Sequence, residues 1–537
     1  MSKRLSICLI NPRSKPSYWT ADFAMPFYQL GRKLKYSMAN GSLVSIAALV
    51  PSGHEIVIID ENVESIDFTS LSRFDVIGVT GMVVQGERML EILRRLQTLP
   101  AVVVAGGPLV TVNENIFEGL CDVRFIGEAE QTWPAFLNAL ASEAPFQSRY
   151  EQGEKTDMSQ VPVPRFDLLK RGCYGTAPVQ FSRGCPFLCE FCDIITIFGR
   201  RPRVKSPEQV LRELDAVLAQ GFKGCFLVDD NFIGNKVEAK RLLRRIIEWQ
   251  QTHRFPLTFV TEASINLAND QELIDLMVEA NFQNVFIGIE TPREASLTET
   301  RKHQNVHGDS LLAKLARIRA RGLKVSAGFI VGFDNDDQHI FDEQYEFIQS
   351  SGIANLSISL LTPLPTTPLY ERLRAENRLD FSDPELIYHP KQMTRAELKA
   401  GFRQLLDRVF EVEAYFHRVY NPPHDPSARV RLGVKCATQI EQPKLKIRLL
   451  HSAAWSARAI KLAFVMARKR QLLRHLRVVP RIVRTNASLG NDAFGFGEMM
   501  DHWISYWHFA SVTRQISGTE FGNVTKRSKH IQPTVSL

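Results

Sequence analysis

Gly184-Cys185-Pro186-Phe187-Leu188-Cys189-Glu190-Phe191-Cys192 places three thiols on one short stretch, directly behind a strand-like run at 179–182. Gly184 and Pro186 make the stretch a loop, because glycine admits backbone angles closed to other residues and proline removes a donor. Thiolates at this spacing can wrap one face of a small inorganic cluster only from a loop. A structural zinc site would draw a fourth Cys or His from a second such pair, and none follows in the sequence. Cys173 is the one nearby candidate for a fourth ligand, whereas Cys8, Cys121, Cys225 and Cys436 sit in apolar or isolated settings that read as core.

On the C-terminal side, Ser206-Pro207-Glu208-Gln209 opens a helix with an N-cap Ser, Pro at the first helical position and Gln at the third. Strand-like runs then recur at 224–228, 257–262, 284–290, 325–331 and 355–361. With 179–182 they give six βα units in about 200 residues, fewer than the roughly 250 of a closed eight-stranded barrel, so an open partial barrel is expected. Several strand ends carry carboxylates or glycines: Asp229-Asp230-Asn231, Glu262, Gly288-Ile289-Glu290 and Gly328 to Gly332. Barrel enzymes place their chemistry there, although any single carboxylate could equally cap a helix.

On the N-terminal side, Val/Ile-rich runs at 5–10, 55–59, 75–79 and 101–105 alternate with helical segments at 41–49 and 87–97. This pattern predicts a doubly wound parallel sheet over 1–145. Ligands on such sheets lie beyond the carboxyl ends of the strands, which here are Asn11-Pro12, Thr80-Gly81-Met82, Gly106-Gly107-Pro108 and Gly127-Glu128-Ala129-Glu130. Small residues there let a planar ligand lie against the backbone, and serve equally well in tight turns. Polar residues with Pro162 and Pro164 read as a linker over 146–175. The expected fold class is therefore α/β, a parallel sheet followed by a partial barrel over 176–380, with a mainly helical region over 381–537 whose tail from 522 is expected to be disordered.

The 537 residues hold 44% hydrophobic and 23% charged side chains, a globular composition. No apolar run approaches the ~20 residues of a membrane span, and the short apolar run after Lys3-Arg4 lacks a cleavage site, so a cytosolic location is expected. Residues 381–537 carry 25 Lys/Arg against 12 Asp/Glu, net +13, leaving −5 for residues 1–380. From Lys444 to Arg484 there are twelve basic and no acidic residues, with apolar residues at helical spacing. Such a stretch reads as a peripheral membrane-surface helix or as a basic face packed on the acidic part of the same chain. Nucleic acid is not expected, since no aromatic-interleaved motif accompanies the charge.

Cys-x3-Cys-x-aromatic-Cys behind the first strand of a partial barrel resembles the radical S-adenosylmethionine (SAM) enzymes, with Phe191 as the aromatic. The resemblance implies that Cys185, Cys189 and Cys192 hold three irons of a [4Fe–4S] cluster, and that the fourth iron binds the amino and carboxylate groups of SAM. An electron from the cluster then cleaves SAM to methionine and a 5′-deoxyadenosyl radical. It further implies SAM contacts from Asp229 and Asp230, Glu262, Glu290 and the strand from Gly328 to Gly332. An α/β domain ahead of the barrel resembles the cobalamin-binding domain of B12-dependent members, which implies a cobalamin site at Thr80, Gly81, Gly106, Gly107 and Glu128. The methionine-synthase pattern Asp-x-His-x-x-Gly is absent, as in many B12-dependent members: His54, the one His before residue 150, sits at a turn and reads as a surface residue. The run from Cys189 to Arg200 is similar to that of hopanoid C-methylases and bacteriochlorophyll methylases. This implies methyl transfer from methylcobalamin to an unactivated carbon of an apolar polycyclic lipid or a tetrapyrrole-like substrate, with electrons from a flavodoxin or ferredoxin. A ring cyclase that does not methylate, and an iron–sulfur electron carrier without SAM cleavage, stay open as alternatives.

Overall fold

The computed structural model describes residues 3–18, 20, 24–28, 33–420, 445–468, 472–487 and 496–517. The first sheet contains β1 (Ser6–Asn11), β3 (Glu55–Asp60), β4 (Val76–Thr80), β5 (Val102–Gly106), β6 (Val123–Ile126) and β7 (Arg149–Glu151), in the order β3-β1-β4-β5-β6-β7 and parallel throughout. Side chains alternate across it. Cys8, Ile10, Ile77 and Val79 pack with Met89, Ile92 and Leu93 on one face, while Leu5, Ile7 and Leu9 pack with Leu43, Phe136 and Leu137 on the other. Covering both faces is what makes the strands read as continuous apolar runs.

The strand β2 (Tyr36–Met38) leaves this sheet and becomes the edge of the second, pairing with β8 (Tyr174–Val179). The order there is β15-β14-β13-β12-β11-β8-β2, with β11 (Gly224–Leu227), β12 (Thr258–Glu262), β13 (Phe282–Glu290), β14 (Lys324–Val331) and β15 (Leu356–Leu360), again all parallel. The expected partial barrel is thus an open, curled parallel sheet of six strands plus β2. The Ser206 box forms as the sequence predicts: the Ser206 hydroxyl accepts from Gln209 N at 3.2 Å, and Gln209 Oε1 accepts from Ser206 N at 2.9 Å.

Two local readings are corrected. The first barrel strand spans Tyr174–Val179 rather than 179–182, and the stretch read as a linker contains β7 and the start of β8. Gly175 and Pro178 disguise β8 as loop. A Cβ on Gly175 would stand 2.9 Å from Ser37 O, so the glycine lets β2 approach.

Beyond the barrel, helices Arg395–Val409, Val412–Tyr420, Leu445–Arg468, Leu472–Ala487 and Phe496–Ser517 follow. Trp503, Tyr506, Trp507 and His508 are buried, and the Phe416 and Trp503 ring centroids lie 4.1 Å apart. The tail from 522 lies outside the described residues, as do Lys444, Lys469 and Arg470. Among the described residues no helix is long and apolar enough to cross a membrane.

Candidate functional site

The three-cysteine loop leaves the carboxyl end of β8 through β9 (Ser182–Arg183) and returns through β10 (Arg203–Val204), which pairs with β9 antiparallel. Gly184 has φ +95°, and a Cβ there would lie 2.8 Å from Gly199 O, so only glycine closes the loop this tightly. Cys185 N donates to Gly199 O at 3.3 Å and Cys192 N to Cys189 O at 3.2 Å. All three cysteines are free. Amides aim at two of the sulfurs: Asn231 Nδ2 lies 3.8 Å from Cys185 Sγ, and Gln304 Nε2 lies 3.5 Å from Cys189 Sγ. Burial pushes the Cys192 thiol up to about 12 and raises Cys185 as well, so these sulfurs ionise readily only around a positive centre. Three thiols, Cys189 buried and Cys185 and Cys192 half-buried, two of them met by amide N–H groups, are a donor set suited to an iron–sulfur cluster. Cys173 lies at the amino end of β8, a strand of six residues, about 20 Å of chain from the loop at the other end. It does not join the set.

The carboxylates divide into distinct roles. Asp229 is 1% exposed, and it accepts from Phe181 N at 2.8 Å, Ser182 N at 2.9 Å and Ser182 Oγ at 2.7 Å. Both its oxygens accept hydrogen bonds that seat β9, so it positions the loop. Asp230 accepts from Gly184 N at 2.8 Å, and burial raises it to about 6. Glu262 makes no side-chain hydrogen bond among the described residues; burial, with the Asp230 charge second, raises it to about 7. Asn231, which also donates to Ser264 Oγ at 3.1 Å, belongs with this group. Its place after Asp229-Asp230 was the only signal for it in the sequence.

Glu290 adopts φ +66° and forms an ion pair with Lys302, both buried. Lys302 Nζ also lies 5.7 Å from the centre of the Phe191 ring. Burial opposes the Lys302 charge, but Glu290, Cys189 and Cys192 outweigh it and hold the ammonium above its ordinary value. Glu290 is therefore a paired charge. Gly288 lies beneath the pair, where a Cβ would stand 2.3 Å from Glu290 Oε1. No spacing pattern in the sequence marks Lys302 or Gln304, since the chain reaches the cluster loop with them only through tertiary folding. Gly328 and Gly332 are also glycines for packing reasons. A Cβ on Gly328 would meet the Phe286 ring at 2.8 Å, and one on Gly332 (φ +111°) would meet Tyr388 Oη at 2.3 Å.

At the carboxyl edge of the first sheet, Gly107 (φ +99°) lies against Thr80, where a Cβ would stand 2.2 Å from Thr80 Oγ1, and Gly106 meets Phe125 at 3.4 Å in the same sense. Beside Gly81, Met82, Val83 and Val84 are 59%, 47% and 60% exposed, an apolar shelf on the rim. His54 is at the opposite, amino end, where its Nδ1 accepts from Leu5 N at 3.1 Å. Glu128, just past the end of β6, turns toward the barrel. It is buried and accepts from Arg183 Nη1 at 2.7 Å, Arg203 Nη1 at 3.0 Å and Thr156 N at 3.1 Å, tying the first sheet to β9 and β10. Asp60 makes a second tie, accepting from Tyr174 Oη at 3.0 Å. Replacing Glu128 by Ala would leave Arg203 without a carboxylate and Arg183 with Glu130 alone, an expected loss of about 3 kcal/mol. A lowered urea midpoint would show it, and an unchanged midpoint would refute the linking role.

The radical SAM superfamily model matches residues 179–348, and a domain of unknown function (DUF4070) matches 367–517. An uncharacterized methyltransferase of Synechocystis is 40% identical over 82% of this chain and 80% of its own length. The hopanoid C-2 methylase of Rhodopseudomonas palustris is 30% identical over 88% of this chain and 90% of its own. Among solved structures, the cobalamin-dependent SAM radical enzyme OxsB, with aqua-cobalamin and SAM bound, shares the fold at 16% identity with a TM-score of 0.60, covering 96% of this chain and 80% of that one.

Proposed function

The chain belongs to the cobalamin-binding-domain radical SAM enzymes, in the company of the hopanoid C-methylases, and on that premise we propose that it methylates an unactivated carbon of an apolar polycyclic lipid or tetrapyrrole-like substrate. The observation that carries the reading is the loop of three free thiols, two of them met by amide donors, held by Glu128 against the sheet that bears the exposed Met82–Val84 shelf. When bound, a [4Fe–4S] cluster on Cys185, Cys189 and Cys192 supplies the electron that cleaves SAM to the 5′-deoxyadenosyl radical, and cobalamin carries the methyl group.

The chain's own residues orient and insulate. Asn231 and Gln304 fix two sulfurs, while Lys302 offsets the thiolate charge. Asp230 and Glu262 would offer carboxyls to the SAM ammonium, and the shelf with Gly81 and Gly107 would offer an apolar surface to a corrin ring. On this reading residues 1–145 hold cobalamin, 176–380 hold the cluster and SAM, and a flavodoxin or ferredoxin donates the electrons.

The test is anaerobically reconstituted protein given cobalamin, SAM, reductant and a candidate substrate. Equal amounts of 5′-deoxyadenosine and S-adenosylhomocysteine are expected. Deoxyadenosine alone would favour a ring-forming enzyme, and neither product from protein with an intact cluster would favour an electron carrier.

Peripheral membrane contact has its own support. Ile460 and Phe464 are exposed, as are Leu476 and Val483 among Arg477, Arg481 and Arg484. Leu476→Glu with Val483→Glu is expected to weaken binding to phosphatidylglycerol vesicles at least about tenfold; unchanged vesicle sedimentation would discard the contact.

A further inference from the structure

Inside the three-cysteine stretch, Glu190 is 5% exposed, and its partners come from beyond the barrel. Arg372 lies on the helix Pro368–Ala375, at the start of the domain of unknown function. It donates Nη2 to Glu190 Oε1 at 2.6 Å and Nε to Glu190 Oε2 at 3.3 Å. Such a two-pronged fork fixes the orientation of both groups, which a single point contact does not. The main chain reinforces the junction: Glu190 N donates to Thr300 O at 3.0 Å, and Leu369 N donates to Glu190 O at 2.9 Å.

The remaining prong of Arg372 reaches a second strand end. Its Nη1 donates to Asp334 Oδ2 at 2.6 Å, past β14 and two residues beyond Gly332. Arg378 Nη2 at 2.6 Å and Lys391 Nζ at 2.9 Å also hold Asp334. Burial works against the Asp334 charge, but these three cations keep its carboxyl well below the usual carboxylate range. Next to the two carboxylates in the chain stand Phe191 and Phe333, whose ring centroids lie 6.0 Å apart. One guanidinium and one ring pair thus set the register of the cysteine loop on the end of β14. A further contact joins the same two parts: Thr196 Oγ1, four residues after the last cysteine of the loop, donates to Thr366 O at 3.3 Å. Thr366 has φ +72°, and a residue other than glycine keeps such an angle only where its neighbours over-determine it.

We propose that Arg372 is a positioning residue for the cluster: through Glu190 it holds the half of the loop from Cys189 to Cys192 against the end of β14. The domain of unknown function thereby completes the cluster site. The proposal rests on the reading of the three cysteines as cluster ligands.

The test uses the full chain, anaerobically reconstituted, and reads loop mobility instead of turnover. Arg372→Met combined with Glu190→Gln removes the tie without leaving a buried charge unpaired, because Arg378 and Lys391 still serve Asp334. In this double variant, iron release to EDTA, followed by loss of visible absorbance, is expected to quicken at least about tenfold. Amide hydrogen exchange over residues 185–198 should quicken by a similar factor, with β11 to β13 and the urea midpoint unchanged. Arg372→Lys keeps the charge and loses the fork, and is expected to quicken both rates at least about threefold. Arg378→Met takes a cation from Asp334 but leaves Glu190 its partner, and should change neither rate. Unchanged rates in the double variant or in Arg372→Lys, or an equal acceleration in Arg378→Met, would overturn the proposal. Absence of a cluster from the unaltered chain would sink the cluster reading and the proposal with it, a failure distinct from unchanged rates in protein that holds its cluster.

Discussion

Replacing any one of Cys185, Cys189 or Cys192 by Ala is expected to remove the visible absorbance of the reconstituted cluster and to lower 5′-deoxyadenosine formation at least about a thousandfold. The loop offers three free thiols, and the nearest other cysteine in the sequence, Cys173, lies beyond the amino end of β8. A lost sulfur therefore has no substitute. Cys173→Ala is the control. It sits at the far end of β8 with its carbonyl accepting from Lys35 N and Tyr36 N, so its replacement should leave the cluster intact. Retained turnover in any of the three loop variants would end the radical SAM assignment of this site.

The second large effect is expected at Lys302. Lys302→Met leaves Glu290 buried without its cation, and breaking a buried pair in this way costs about 3–5 kcal/mol. Unpaired, Glu290 should take up a proton in the folded state at a pH where the unfolded chain releases it. Its folded pKa then lies above its unfolded value, so stability should fall as pH rises from the unfolded value of about 4.3 upward. The variant should accordingly unfold at lower urea at pH 8 than at pH 5. Adding Glu290→Gln should restore much of the loss, because an amide needs no counter-charge. A pH-independent loss, or no rescue in the double variant, would show that the pair is not what stabilises this corner of the site.

The Asp229 case shows how far strand-end position carries. Its sequence context marks a carboxylate at the mouth of a barrel, and that is where it lies. Which groups it faces is another matter, and its three short bonds to Phe181 and Ser182 make it a seat for the loop. Glu128 follows the same course: the carboxyl edge of the first sheet was legible, but not the arrival of Arg183 and Arg203 from the barrel. β8 was misplaced because proline and glycine are local loop signals, overridden here by two neighbouring strands. Within the basic segment Arg458 Nε donates to Phe27 O, while Ile460 and Phe464 are exposed.

By itself, the sequence determined the parallel α/β architecture and the loop of three cysteines. Alternating apolar runs and a glycine-proline loop are set by neighbours a few residues apart, and local backbone physics suffices to read them. Only the tertiary structure decided that Lys302 pairs with Glu290, that Gln304 and Asn231 support the sulfurs, that Glu128 joins the two sheets, and that Arg372 ties Glu190 to Asp334. Those contacts join residues far apart in the chain. Their strength comes from burial and charge pairing, and both exist only once the sheets have packed.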